Sequence, residues 1–98
     1  MEDKKIVGRK VRIDYPRSCV EMTYHYSGNV EWDDGAEAKG ITKCLLLQAG
    51  DNFFIVNFKK DVYNVTQYID TQKMEVRAVF SVDGRSVDFI KGKMCFID

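Results

Sequence analysis

Tyr15, Tyr24, Tyr26 and Trp32 are the side chains of this sequence best suited to hold another molecule. Each couples a flat apolar ring to a polar tip, so it can pack a flat ligand and still donate a hydrogen bond. Their spacing places them on the expected inner faces of short alternating segments, near one end of the fold. The same pattern also fits core-filling rings whose hydroxyls reach a rim. His25 is the one histidine, and thus the one side chain that ordinarily titrates near neutrality. It alternates with Val20, Met22 and Tyr24 and shares a face with Glu21 and Thr23, so it is expected to point to solvent. A lone histidine without carboxylate help does not make a metal site.

Cys19, Cys44 and Cys95 are odd in number and far apart, unlike a disulfide framework or a paired zinc motif. They read as buried thiols acting as small apolar side chains. A glycine-rich phosphate loop, a nucleophile elbow and a paired histidine–acid motif are all missing from the sequence. The residues therefore assign no catalytic group, no metal and no cofactor.

These side chains need elements to hold them, and turn residues mark where the elements end. Breaks fall at Pro16–Ser18, Ser27–Asn29, Asp33–Gly35, Ala49–Asn52, Lys59–Asp61, Asp70–Gln72 and Val82–Gly84, separating eight short segments. Val11, Ile13 and Tyr15 alternate with Arg12 and Asp14, the period of a half-buried strand. Val20, Met22, Tyr24 and Tyr26 do the same in a second strand, Cys19 to Tyr26. The turn Ser27-Gly28-Asn29 joins it to a short third strand with Val30 and Trp32. The remaining strands are expected over Ile41–Gln48, Phe53–Phe58, Val62–Ile69, Lys73–Ser81 and Arg85–Ile97, with the first over Ile6–Tyr15.

Asp33 to Gly40 fits neither period and reads as a loop with room for one helical turn at Ala36–Lys39, a natural position for ligand control at a barrel mouth. Cys44-Leu45-Leu46-Leu47 and Phe53-Phe54-Ile55-Val56 are apolar on both faces. One face can fill an interior; the other needs a cover, and a homodimer built on these strands supplies one. Asn57, Asn64, Thr66 and Gln67 are polar positions in otherwise apolar strands, and any that faces inward needs a hydrogen-bond partner. A slip of one residue exchanges the faces, so periodicity alone does not choose among them. Gly92, in the long last strand, is expected at a kink or corner. Lys59-Lys60 and Lys91/Lys93 read as solvated charges that discourage aggregation.

Composition bounds the function. Ninety-eight residues form one domain, 1–98, and fifteen basic residues balance fifteen acidic ones. No net field favours nucleic acid or an anionic membrane surface. No apolar run approaches the roughly 20 residues of a membrane span. The charged start Met1-Glu2-Asp3-Lys4-Lys5 has no signal-peptide core behind it, so a cytoplasmic location is expected.

Strands of this number joined by tight turns close most economically into an all-β, eight-stranded antiparallel up-and-down barrel of the calycin or lipocalin-like kind. Between Val7 and Ser81 the chain resembles the MoaF-like small barrels and, more distantly, the phenolic acid decarboxylases. The resemblance rests on the opening Gly8–Tyr15, the aromatic hairpin Tyr24–Trp32, the stretch Leu45–Phe58, and Thr66–Asp70 with Met74–Ser81, taken in that order. It implies a lipocalin-like barrel with a central pocket and implies little about biochemical activity. The aromatic residues themselves suit such a pocket to a small apolar or aromatic molecule. The decarboxylases carry a Tyr-x-Tyr pair on the first strand, where this chain has Ile13-Asp14-Tyr15. Their arginine and glutamate before the fourth strand are missing from Lys39-Gly40-Ile41-Thr42-Lys43. The resemblance thus favours a binding barrel over a lyase. In the lyase alternative Tyr15 is the acid, with Asp14, Glu37 or His25 assisting. A barrel with a filled core, used as a protein-interaction module, is the other alternative.

Overall fold

The computed structural model describes residues 6–35 and 39–98. Eight strands follow one another: β1 Lys10–Tyr15, β2 Ser18–Tyr24, β3 Asn29–Asp33, β4 Lys39–Gly50, β5 Phe53–Lys60, β6 Tyr63–Asp70, β7 Glu75–Val82 and β8 Arg85–Phe96. Each pairs antiparallel with the next, and β1 also pairs with β8, so the sheet is a closed barrel. The expected all-β up-and-down barrel is the observed fold. No helix among the described residues is long and apolar enough to cross a membrane.

Tight turns make this order the short route. The β7–β8 connection has Asp83 at φ 53° and Gly84 at φ 80°, the left-handed pair whose twist matches that of a two-residue hairpin. Pro16 and Arg17 form the β1–β2 turn. The β1–β2, β3–β4, β5–β6 and β7–β8 connections lie together at one end of the barrel, and the other connections lie at the opposite end.

Alternation then fills the interior. Val11 and Ile13, Met22 and Tyr24, Phe54, Val56 and Phe58, Val65 and Ile69, and Val76 and Ala78 are all buried. The residues on the opposite phase between them are half-buried or exposed, and polar apart from Ile55 and Tyr68. Burying side chains of this size contributes about 1.5–3 kcal/mol each before conformational entropy is counted.

Three expectations need correction. β1 begins at Lys10, not Ile6. Gly8 at φ 83° turns the chain, its N–H donates to the Tyr24 carbonyl over 2.6 Å, and fully buried Ile6 enters the core at the end where β2 finishes. β4 starts at Lys39 instead of Ile41, because Asp33↔Lys39 and Trp32↔Gly40 continue the ladder. Ala36 to Ala38, where a helical turn had room, lie outside the described residues. Of the cysteines, Cys19 and Cys44 are half-buried but Cys95 is exposed, since it falls on the outward phase of β8.

Candidate functional site

At the end that carries the β1–β2 and β3–β4 connections, a cavity of about 130 Å³ opens into the barrel. Its aromatic wall is Trp32 of β3, Phe58 of β5 and Phe80 of β7, with Val20, Met22 and Ile90 completing the apolar lining. Trp32 and Phe58 stack with ring centroids 6.0 Å apart and planes 25° from parallel. A larger depression of about 550 Å³ lies between the β2–β3 turn and the Lys43–Leu45 and Asn57–Lys59 stretches. Another of about 480 Å³ lies beside the β1–β2 turn, sharing Tyr15, Ser18 and Ile90 with the cavity.

Two glycines make room for the rings. A Cβ on Gly40 would lie 2.4 Å from Trp32 Cζ2, and one on Gly92 would lie 2.7 Å from Tyr15 Cδ1. Gly92 is therefore the floor under Tyr15, which is why β8 lacks a side chain there.

The polar part of the lining is sparse. Gln67 of β6 is 2% exposed and faces inward. Its Oε1 accepts a 2.6 Å hydrogen bond from the Tyr24 hydroxyl, while its Nε2 lies 3.2 Å from Met22 Sδ and 3.5 Å from the Tyr15 oxygen. Gln67 thus ties Tyr24, behind it, to Tyr15, beside it. The Tyr15 oxygen accepts in that contact, so its own O–H is left to donate into the cavity, and it meets no acceptor among the described residues. At the mouth stand Ser18, Asp34 and Lys60, the last with its Nζ 5.9 Å from the Trp32 ring centroid.

The four expected ligand-binding residues have separate fates. Tyr15 and Trp32 line the cavity. Tyr24 is inside and fully buried, one layer back behind Gln67. Tyr26 is not inside: it is 85% exposed and lies over Gly8. β2 ends at Tyr24, and His25 starts the turn by donating its N–H to the Asn29 carbonyl, so the alternation that assigned Tyr26 no longer applies. His25 sits on the surface, Nε2 2.9 Å from Glu31 Oε1. Asp14 is also outside, paired with Arg12 at 3.3 Å. Glu37 lies outside the described residues.

Two cavity residues were not separable in the sequence. Gln67 looked like its polar neighbours, yet Asn57, Asn64 and Thr66 face outward and bond one another, Asn57 Nδ2 reaching Asn64 Oδ1 and Thr66 Oγ1 at 3.1 Å each. Lys60 read as a solvated turn charge and instead lines the cavity mouth beside Trp32.

Burial pushes the Tyr15 hydroxyl above its ordinary pKa, against a smaller opposing pull from the Gln67 hydrogen bond. Burial pushes Tyr24 much further, with Tyr15 and Cys44 adding to the rise. Both raised values favour the protonated form in the folded state, so this contribution to stability is fully present below the ordinary tyrosine pKa of 10.0. It is lost as the pH climbs from there through the folded value, because unfolded tyrosines ionise first. Wild-type stability is expected to fall above pH 10.0 more steeply than that of Tyr24→Phe, by up to about 1.4 kcal/mol per pH unit. Urea melts of both chains between neutral and alkaline pH check this, and parallel curves would refute it.

No protein-family model matches the chain, and no curated protein matches it. A solved structure does. The crystal structure of a "putative beta-lactamase" from Burkholderia vietnamiensis superposes with a TM-score of 0.82 over 99% of this chain and 100% of that one. At 14% identity the likeness shows the fold. The closed eight-stranded antiparallel barrel is an arrangement that a distant sequence also adopts.

Proposed function

We propose that this barrel binds a small molecule of about one ring, which carries a hydrogen-bond acceptor, in the cavity between Trp32 and Gln67. The observation that carries the reading is the Tyr15 hydroxyl, held on Gly92 with its proton unclaimed inside an aromatic-walled cavity. A ligand oxygen that accepts from this hydroxyl gains about 0.5–1.5 kcal/mol, the net value of one hydrogen bond. The size follows from the volume: a dry apolar cavity near 150 Å³ is known to hold benzene, and this one is about 130 Å³.

Binding is favoured over turnover because two of the partners considered for Tyr15 acid chemistry, Asp14 and His25, are on the outer surface. Membership of the MoaF-like barrels fits this reading and is part of the proposal. So is a cytoplasmic location, which three unpaired cysteines suit. The structural neighbour's name would bring β-lactam hydrolysis. A serine nucleophile for that reaction needs a base within hydrogen-bond reach, and Ser18 at the mouth bonds to none among the described residues.

Trp32 is the one tryptophan of the chain and lies on the cavity wall, so its fluorescence reports occupancy directly. Cyclohexanone and phenol are expected to change it saturably. Tyr15→Phe is expected to weaken both by about five- to tenfold, the value of one hydrogen bond, while leaving benzene unaffected. If none of the three gives a saturable change, and native mass spectrometry of the purified protein shows the bare chain mass, the binding reading fails.

A further inference from the structure

We infer that the outer face of β4, β5 and β6 docks a second copy of this chain, related by a two-fold axis that runs across the strands. The proposal is independent of what occupies the cavity. It starts from the ladder: Leu45 pairs with Asn57, Leu47 with Ile55, and Ile55 with Tyr68. All lie on the outward phase, because Phe54, Val56, Phe58, Gln67 and Ile69 between them are buried. Leu45 is 74% exposed, Leu47 61% and Tyr68 37%, and Ile55 between them is half-buried.

Together these side chains offer on the order of 400 Å² of apolar surface, the size of the largest patch on a typical monomer, which is often functional. A standard interface takes roughly 800 Å² from each partner, an apolar centre within a polar rim. Asn57, Thr66 and the charged residues at the two ends supply such a rim.

Charge decides which partner fits. At one end of the face are the exposed Lys43 and Lys59, one step beyond the Cys44↔Phe58 pair. At the other end are Asp51, in the β4–β5 turn, and Asp70, opposite Phe53. Lys43, Lys59 and Asp51 have no ion-pair partner among the described residues. A two-fold axis across the strands lays each lysine end over the partner's aspartate end and each leucine pair near the axis. The face is therefore complementary to itself, the requirement for a closed two-fold dimer.

Sedimentation of the full chain is expected to give twice 11.3 kDa in low salt, shifting toward the single-chain mass as salt rises. Leu47→Glu is expected to weaken the dimer by at least about 100-fold, as for a residue at an interface centre, with an unchanged circular dichroism spectrum. A Lys43→Glu/Lys59→Glu chain carries acidic side chains at both ends of this face, and an Asp51→Lys/Asp70→Asn chain carries lysines at both. Each is expected to be monomeric alone, and their mixture to form a heterodimer. The asparagine keeps the Oδ1 that accepts the Gln72 and Lys73 N–H groups at 3.0 Å, so the turn is preserved. A wild-type chain that sediments at 11.3 kDa at every concentration overturns the proposal. So does a dimer indifferent to Leu47→Glu, or a mixture that stays monomeric.

Discussion

A Gly92→Ala chain is expected to lose about 1–3 kcal/mol of stability, the usual cost of forcing an extra carbon into a packed site. Without a steric conflict the sign would be opposite, because alanine in a strand interior gains roughly 0.5–1 kcal/mol over glycine. The conflict is specific. The new Cβ would stand 2.7 Å from Tyr15 Cδ1 and 2.9 Å from the Asp14 carbonyl oxygen. A ring can tilt away, but the Asp14 carbonyl belongs to β1, and Asp14↔Lys93 is the last pair of the ladder that closes the barrel. Relief therefore means spreading the β1–β8 seam. Gly50→Ala is the control, because its Cβ meets nothing nearer than Phe53 Cβ at 3.7 Å. Urea unfolding of the two chains should give opposite signs relative to wild type, or a loss against no change. A stabilised Gly92→Ala chain would mean the seam is looser than described. The same substitution displaces Tyr15, so it should also weaken cyclohexanone and phenol binding.

Gln67→Leu is expected to cost about 1–3 kcal/mol, chiefly because it strands a buried donor and not because it removes a bond. The Tyr24 hydroxyl is fully buried and gives its proton to Gln67 Oε1 at 2.6 Å; its other neighbour is Met22 Sδ at 3.7 Å, a weak acceptor. Tyr24→Phe alone should cost a similar amount, since it leaves Gln67 Oε1 without its donor. The double variant removes both partners and leaves no orphan, so it is expected to be nearly as stable as either single one. The coupling energy from that cycle should reach about 1–3 kcal/mol, the range for residues that share one hydrogen-bond network. Additive losses would show that Tyr24 and Gln67 act independently. Ligand binding separates them further: Gln67→Leu changes the cavity wall, whereas Tyr24→Phe acts one layer behind it.

The architecture was legible because turns are local chemistry. Asp83-Gly84 favours its tight turn locally, since both residues reach the left-handed region at small cost. The alternation of Val11, Ile13 and Tyr15 states a strand and its buried face together. The same rule found Tyr15 and Trp32, and it failed at Tyr26 for an identifiable reason. Period two holds only while the ladder holds, and the ladder stops at Tyr24. The doubly apolar strands were also readable as a face in need of a cover, and Leu45 and Leu47 do project from the barrel.

The sequence by itself determined the strands, their order and the closure of the sheet. Strands and order follow from residue type and from contacts between neighbours along the chain. Closure follows because an open sheet would leave β1 and β8 as bare edges. Only the tertiary structure decided that Gln67 faces inward while Asn57, Asn64 and Thr66 face outward, that Gly40 and Gly92 lie under aromatic rings, and that Lys60 reaches the cavity mouth. Each of these depends on the register between paired strands, which for Gly92 under Tyr15 joins the first strand to the last. A shift of one residue in that register exchanges inside for outside without altering any local preference.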